Sequence, residues 1–264
     1  MEVHRVILNR TQLAAMPESE RVLLLLLAYA SNEINVLSKL ILMMRNDDSP
    51  SPIHDAVETG QIFILMRLLI GKLHEAWELF KNRVQSDRSI TTTHIPRLPP
   101  EAAAALEALK RHFGAGSALS KIRNKISFHY SDKENLTEAS FQQLPQSEPL
   151  QFYLTKTAGN SFYHAAELIV QLAAINLMRA PPTDPINSAS AEARAFEALC
   201  GEIIEVSRDI SELFGHLIAM LTENIVDSMV TEQVTDGPKM STFLLPYFFD
   251  EDDALPAQPR ETLP

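Results

Sequence analysis

The chain has 264 residues, 45% of them hydrophobic, a formal net charge of −11 and a single cysteine, so it can bury a sizeable core as one domain or as a domain with an appendage. With 34 Asp and Glu against 23 Lys and Arg, its balance argues against broad, non-specific nucleic-acid or membrane-surface binding, which needs basic surface. The lone Cys200 excludes an internal disulfide framework and a cysteine-based zinc cluster. Its apolar surroundings, Phe196, Leu199 and Ile203, predict a buried structural thiol, and cysteine usage of this kind fits a cytoplasmic location.

Only 8 glycines, with many Leu, Ala, Ile and Glu, favour helices over a sandwich or barrel. Met1 to Arg10 lacks the architecture of a signal peptide. Pro17, followed by Glu18 and Glu20, suits a helix start, and the apolar pattern runs on to about Met44. Within it, Val22 to Ala30 is too short to span a bilayer, which takes about 20 apolar residues. Asn46 to Pro52 is a connection, and a second long helix is expected over Ile53 to Val84, apolar at Ile62, Leu65, Leu69, Leu73, Trp77 and Phe80. Two helices so linked read as an antiparallel pair.

Ser86 to Leu98 is expected to be a loop, Glu101 to Phe113 a third helix, and Ser117 to about Phe128 a fourth, with Gly114-Ala115-Gly116 between the last two. Ser131 to Gln151 reads as irregular with one short helix, Gln151 to Thr157 as a strand or extended piece, and Asn160 to Met178 as a helix. Pro181 to Pro185 is a linker, and a last long helix is expected over Ala189 to Val234, with a break allowed at Gly215. The fold class is therefore all-α. It divides into a helical domain over 1–180, a linker over 181–188, a long C-terminal helical element over 189–235 and an acidic, proline-bearing, disordered tail over 236–264.

One segment departs from the acidic average. Between Ala108 and Ser131 there is no Asp or Glu, while Lys110, Arg111, Lys121, Arg123 and Lys125 fall there with His112 and His129. A local basic site of this kind suits an anionic ligand, although an ordinary solvated helix face has the same composition. The neighbouring Gly114 and Gly116 leave backbone amides open at a helix start, where phosphate can bind.

Inside this segment runs Arg123-Asn124-Lys125-Ile126-Ser127-Phe128-His129. The pattern resembles the Arg-x(4–6)-His motif of the HEPN superfamily, whose arginine is commonly followed by a polar residue such as Asn. The resemblance extends over about Glu18 to Met178. It implies a HEPN-like bundle of long antiparallel helices, here with an additional long C-terminal helix, and a metal-independent endoribonuclease of toxin or antiviral-defence type. It also implies a homodimer whose interface unites two motifs, an RNA substrate, an antitoxin or other partner protein, and products ending in a 2′,3′-cyclic phosphate and a 5′-hydroxyl.

The chemistry stands beside the resemblance. RNA cleavage by its own 2′-hydroxyl needs a base for that proton and a cation for the charge developing on phosphorus. His129 has the side chain with an unperturbed pKa nearest neutrality. Arg123 presents a permanently charged planar fork to phosphate oxygens. Asn124 orients the phosphate or holds the imidazole tautomer, while Lys121, Lys125, Tyr130, Lys110 and Arg111 are expected to contact substrate. Positions six apart on an ideal helix lie about 240° around its axis, so Arg123 and His129 meet only if the helix ends before His129 or a dimer completes the site. The alternatives are a non-catalytic HEPN-like module binding a nucleotide, RNA or protein partner, and a structural oligomeric bundle in which Arg123 pairs with a carboxylate.

Other chemistry is poorly supported. His54 with Glu58, His74 with Glu78, His164 with Glu167 and Glu212 with His216 sit at helical spacing, but the Glu-x-x-His order of a di-metal bundle is missing. No metal, cofactor or membrane partner is expected, and P-loop, dinucleotide and nucleophile-elbow signatures are absent. Ser31-Asn32-Glu33 interrupts the first apolar helix. If those side chains face inward they need partners, and Arg123 is one option.

Overall fold

The computed structural model describes residues 2–44, 51–114, 117–127, 136–144, 146, 149–156, 160–178, 189–226, 228–233 and 247. Among them are nine α-helices and one two-stranded ribbon, so the protein is an all-α helical bundle. Strand β1 (Glu2–Ile7) precedes the short helix α1 (Arg10–Ala15), which opens on a capping box: Asn9 Oδ1 accepts from Gln12 N at 2.9 Å, and Gln12 Oε1 accepts from Asn9 N at 2.7 Å. Helix α2 (Glu18–Met43) follows Pro17, with Glu18 and Glu20 in its first turn. Helix α3 (Pro52–Phe80) starts on Ser51, whose Oγ accepts from His54 N, and runs into a π-helical turn over Lys81–Gln85. After it come α4 (Arg88–His94), α5 (Pro100–His112), α6 (Ala118–Ile122), α7 (Leu136–Phe141), α8 (His164–Met178) and α9 (Ala189–Thr222), then strand β2 (Ser228–Gln233).

The core joins α2, α3, α5, α6 and α9. Leu23 and Leu27, Phe63, Ile70, Leu73 and Phe80, Leu109, Leu119 and Ile122, and Leu199 and Phe214 are all fully buried, each worth about 1.5–3 kcal/mol of transfer free energy. Helix α9 buries Leu199, Ile203, Val206, Ile210, Leu213 and Leu217, a spacing of alternating three and four residues that keeps one stripe inward. It continues without a break through Gly215, where an added Cβ would meet nothing within 4 Å. Trp77 stacks between Phe80 (5.4 Å) and Phe113 (5.5 Å), fastening the end of α3 to the end of α5.

Four expectations are corrected. Ser86 to Leu98 is not a loop: Asp87 Oδ1 accepts from Ser89 N and Ile90 N, starts α4, and a 3-10 turn over Ile95–Arg97 follows. Asn160 to Tyr163 is not helical, because Phe162 forms an antiparallel bridge with Tyr153 and α8 begins only at His164. Gly60 makes room for that bridge, since an added Cβ would lie 2.8 Å from Phe162 Cε1. The last helix stops at Thr222, and β2 pairs antiparallel with β1, with Glu2 opposite Gln233 and Ile7 opposite Ser228. Finally, Ser117 to Ser127 is not one regular helix, as α6 gives way to a π-helical turn over Arg123–Ser127. The linker over 181–188 lies outside the described residues, as does the tail over 236–264 apart from Tyr247.

Helix α2 is long and apolar enough to cross a membrane by length and composition, with an 18-residue window of mean hydropathy 1.2, of which 17% is buried. Its inner side carries Leu23, Leu24, Leu27 and Ile34 into the core. Its outer side exposes Leu25, Tyr29, Val36 and Leu42.

Candidate functional site

Arg123 owes its position to α6. Leu119 and Ile122 are fully buried, and the helix starts on Ser117, whose Oγ accepts from Ser120 N at 3.3 Å. At Arg123 the backbone widens into the π-helical turn, a departure from α-helical register that recurs at functional sites. The guanidinium lies against α3. There Nη2 donates to Glu75 Oε1, and Nη1 donates to Asn124 Oδ1 at 3.0 Å. Arg123 Nε is buried and has no hydrogen-bond partner among the described residues.

Glu75 stands at one end of a polar seam. On α2, Glu33 Oε1 accepts from Tyr29 Oη at 3.1 Å and from Lys72 Nζ at 2.6 Å. The hydrogen bond to Glu33 holds the Lys72 ammonium above its ordinary pKa against the opposing effect of burial, and the Glu75 carboxylate adds to the rise. The polar interruption of α2 is thus satisfied by Lys72 rather than by Arg123. Ser31 Oγ donates to Leu27 O at 2.9 Å, and Asn32 is exposed.

His74, which the sequence marks only by its spacing from Glu78, belongs to this site. Its ring stands edge-on to Phe113 with centroids 5.9 Å apart. Burial first, and the Arg123 charge second, push its pKa below the usual value for histidine, so the imidazole is neutral at pH 7. Its Nδ1 is buried without a partner among the described residues. The expected spacing partner, Glu78, instead pairs with Lys81 at 2.6 Å. No signal in the linear sequence connects positions 74 and 123, because the core brings them together.

The remaining predicted site residues separate. Arg123 and Asn124 are together. His129 and Tyr130 lie outside the described residues. Lys110 is paired with Glu107 at 2.6 Å, and Lys125 is half-buried and engaged in a polar or electrostatic interaction. His112 lies 3.8 Å from Glu202 and 3.9 Å from Glu205, and burial raises the Glu202 pKa more than His112 lowers it. Arg111 and Lys121 are exposed and have no counter-ion among the described residues. The acid-free segment is therefore acid-free in the chain but not in space, because Glu75, Glu202 and Glu205 reach it from α3 and α9.

Two further sites bear on earlier expectations. Cys200 is half-buried, and burial raises its thiol pKa, which suits a structural role. Glu101, Glu212 and His216 bring ligand atoms within 4.8 Å of one another, so they are the described residues whose geometry could hold a metal ion. His216 Nε2 is 2.9 Å from Glu212 and 3.9 Å from Glu101; only the first pairing is visible as helical spacing. Compared with known proteins, the chain matches no family model, no curated protein and no solved structure.

Proposed function

We propose that the chain is a metal-independent endoribonuclease of toxin or defence type, acting in the cytoplasm as a homodimer. The observation that carries this reading is Arg123, set on a π-helical turn with an Nε–H that has no partner among the described residues, at a place from which its charge helps to keep the His74 imidazole neutral. In this reading the Arg123 fork leaves Glu75 and takes two oxygens of the scissile phosphate, with Asn124 holding its orientation. A neutral imidazole accepts the 2′-hydroxyl proton as the 2′-oxygen bonds to phosphorus. The phosphorus–O5′ bond then breaks, and a protonated group returns a proton to O5′. His74 is suited to the first task, and the motif assigns His129 to either. RNA is the substrate class, and an antitoxin or other partner protein is the expected means of control.

A second reading is favoured by one observation: Arg123 already has a carboxylate partner in Glu75. On that reading the chain is a non-catalytic helical module or a structural oligomeric bundle. Cleavage of a mixed RNA in EDTA decides between them. The ribonuclease reading expects cleavage by wild type that is lost in both Arg123→Ala and His129→Ala with folding intact. Intact RNA with wild type, at any protein concentration where the protein is dimeric, overturns it.

A further inference from the structure

Just beyond the end of α3 lies an open cleft of about 410 Å³, lined by Ser19, Asn82, Arg83, Ser86, Asp87 and Arg88. It lies where the π-helical turn Lys81–Gln85 hands over to α4, facing the first turn of α2. Arg83 and Arg88 are exposed, and neither guanidinium has an ion-pair or hydrogen-bond partner among the described residues. In a chain with 34 acids, two neighbouring arginines facing one cleft without counter-ions are a conspicuous local surplus.

The acids nearby offset it only in part. Asp87 lines the cleft and keeps its negative charge, but its Oδ1 is turned to Ser89 N and Ile90 N, from which it accepts, so the lining retains a net positive charge. Glu20 is turned to His94, with Oε1 3.1 Å from Nε2. The neutral groups favour an acceptor-rich ligand. Ser86 Oγ donates to the Asn82 carbonyl at 2.5 Å, which leaves the Asn82 side-chain amide and the Ser19 hydroxyl as free donors. Pro17 supplies no side-chain cap to α2, so amide N–H groups of its first turn are unpaired beside Ser19. Two planar forks with neutral donors between them match a tetrahedral oxyanion, which offers acceptors in several directions, better than a planar carboxylate.

We propose that this cleft binds a phosphate group. The proposal does not depend on catalysis at Arg123. Its cavity exceeds one phosphate and falls within the size range of ligand sites, so the group is carried either by a small phosphorylated molecule or by a nucleic-acid backbone. Distance along the chain speaks to the second source. Asn82 lies in the π-helical turn that continues α3, seven residues after Glu75 and about 10 Å along the axis, a separation that a few nucleotides of one strand span.

The test measures binding to the full chain of two probes, inorganic phosphate and a fluorescent oligodeoxynucleotide that lacks the 2′-hydroxyl. Wild type is compared with Arg83→Gln/Arg88→Gln and with Arg123→Ala. The expected result is saturable binding of at least one probe that becomes about tenfold weaker in the double variant, the loss that follows removal of charge-assisted hydrogen bonds. Binding of inorganic phosphate identifies a small phosphorylated ligand as sufficient, and binding of the oligonucleotide alone identifies the backbone as the source. The melting temperature should not change, since both arginines are exposed and unpartnered. If the double variant fails to fold, Arg88→Gln alone is read through the slope of affinity against salt, which should be shallower than in wild type. Binding of neither probe, a loss confined to Arg123→Ala, or wild-type affinity and salt slope in the variants would overturn the proposal.

Discussion

Replacing Glu75 with glutamine removes the charge that Arg123 faces while keeping a carbonyl acceptor for its Nη2. The pair is open to solvent on both sides, with the Arg123 side chain 29% exposed and that of Glu75 53% exposed. Pairs of this kind contribute about 0.2–1 kcal/mol, so Glu75→Gln should lower stability by less than about 1 kcal/mol, or about 2–4 °C in melting temperature at most. If the guanidinium is a phosphate ligand, Glu75 competes with the phosphate for it, and the same free energy reappears as affinity. Glu75→Gln should then bind a non-cleavable oligodeoxynucleotide about 1.4- to 5-fold more tightly. Fluorescence anisotropy at one fixed ionic strength reads this, with Arg123→Ala as the variant that loses the gain. Affinity that falls in Glu75→Gln while the melting temperature holds would refute the competition argument and make Glu75 a binding group itself. Affinity equal to wild type would refute it too, because Arg123 would then lie away from the bound strand.

The pKa of His74 is lowered by folding, so below its ordinary value the unfolded chain holds more protons there than the folded one, and stability should fall as pH drops from 7 through about 6.5 towards the folded-state pKa. Urea unfolding at about pH 7.5 and about pH 5.5 should show a smaller difference in His74→Gln than in wild type; an equal difference would remove His74 from the account. Gly60→Ala should cost about 1–3 kcal/mol by overpacking, because the new methyl meets the Phe162 ring; thermal unfolding checks it, and a melting temperature at or above wild type would mean that Phe162 moves away freely. Phe214→Ala, at a site 1% exposed in α9, should cost about 3–5 kcal/mol, measured by denaturant midpoint, and a loss below about 1 kcal/mol would place α9 outside the cooperative core.

The long helices were legible because their signals are local and repeated. Periodic apolar residues with proline and acids at the start located α2 within a residue or so of its observed ends, and the same pattern located α5. Helix α4 was hidden because one aspartate at its cap carries the start signal, and the segment between Ser86 and Leu98 is too polar for a period to show. The ribbon was hidden for another reason. His4 and Thr231, 227 positions apart, share a side-chain hydrogen bond, and neither strand has an apolar face to announce it, since all of β1 is exposed. The candidate site divides along the same line. Arg123 with Asn124 is a local fact, whereas Arg123 with Glu75 spans 48 positions, and His74, the chain neighbour of Glu75, comes within reach of the Arg123 charge only through the same fold. The π-helical turn cannot be read from periodicity, because one widened turn breaks the period without replacing it.

The charge argument changes most when the chain folds. A run of residues without acids predicts an anion site only if no acid reaches it from elsewhere, and α3 and α9 supply those acids to the stretch around Arg123. Pairing does not cancel a site, but it alters its operation. An arginine held by a solvent-exposed carboxylate is pre-aimed, its fork ordered before the ligand arrives, and the ligand must displace a partner worth about 1 kcal/mol at most. An arginine without a partner, as at Arg83 and Arg88, must be ordered by the ligand itself, which costs rotamer freedom of comparable size. The two arrangements therefore suit different tasks. On the proposed reading, the held fork of Arg123 serves chemistry, where orientation governs rate. The free forks at the end of α3 suit capture of an anion, where charge left unneutralised governs encounter. A π-helical turn stands at each place, Arg123–Ser127 and Lys81–Gln85, and in both it ends a regular helix at the point where cationic side chains leave the packed face.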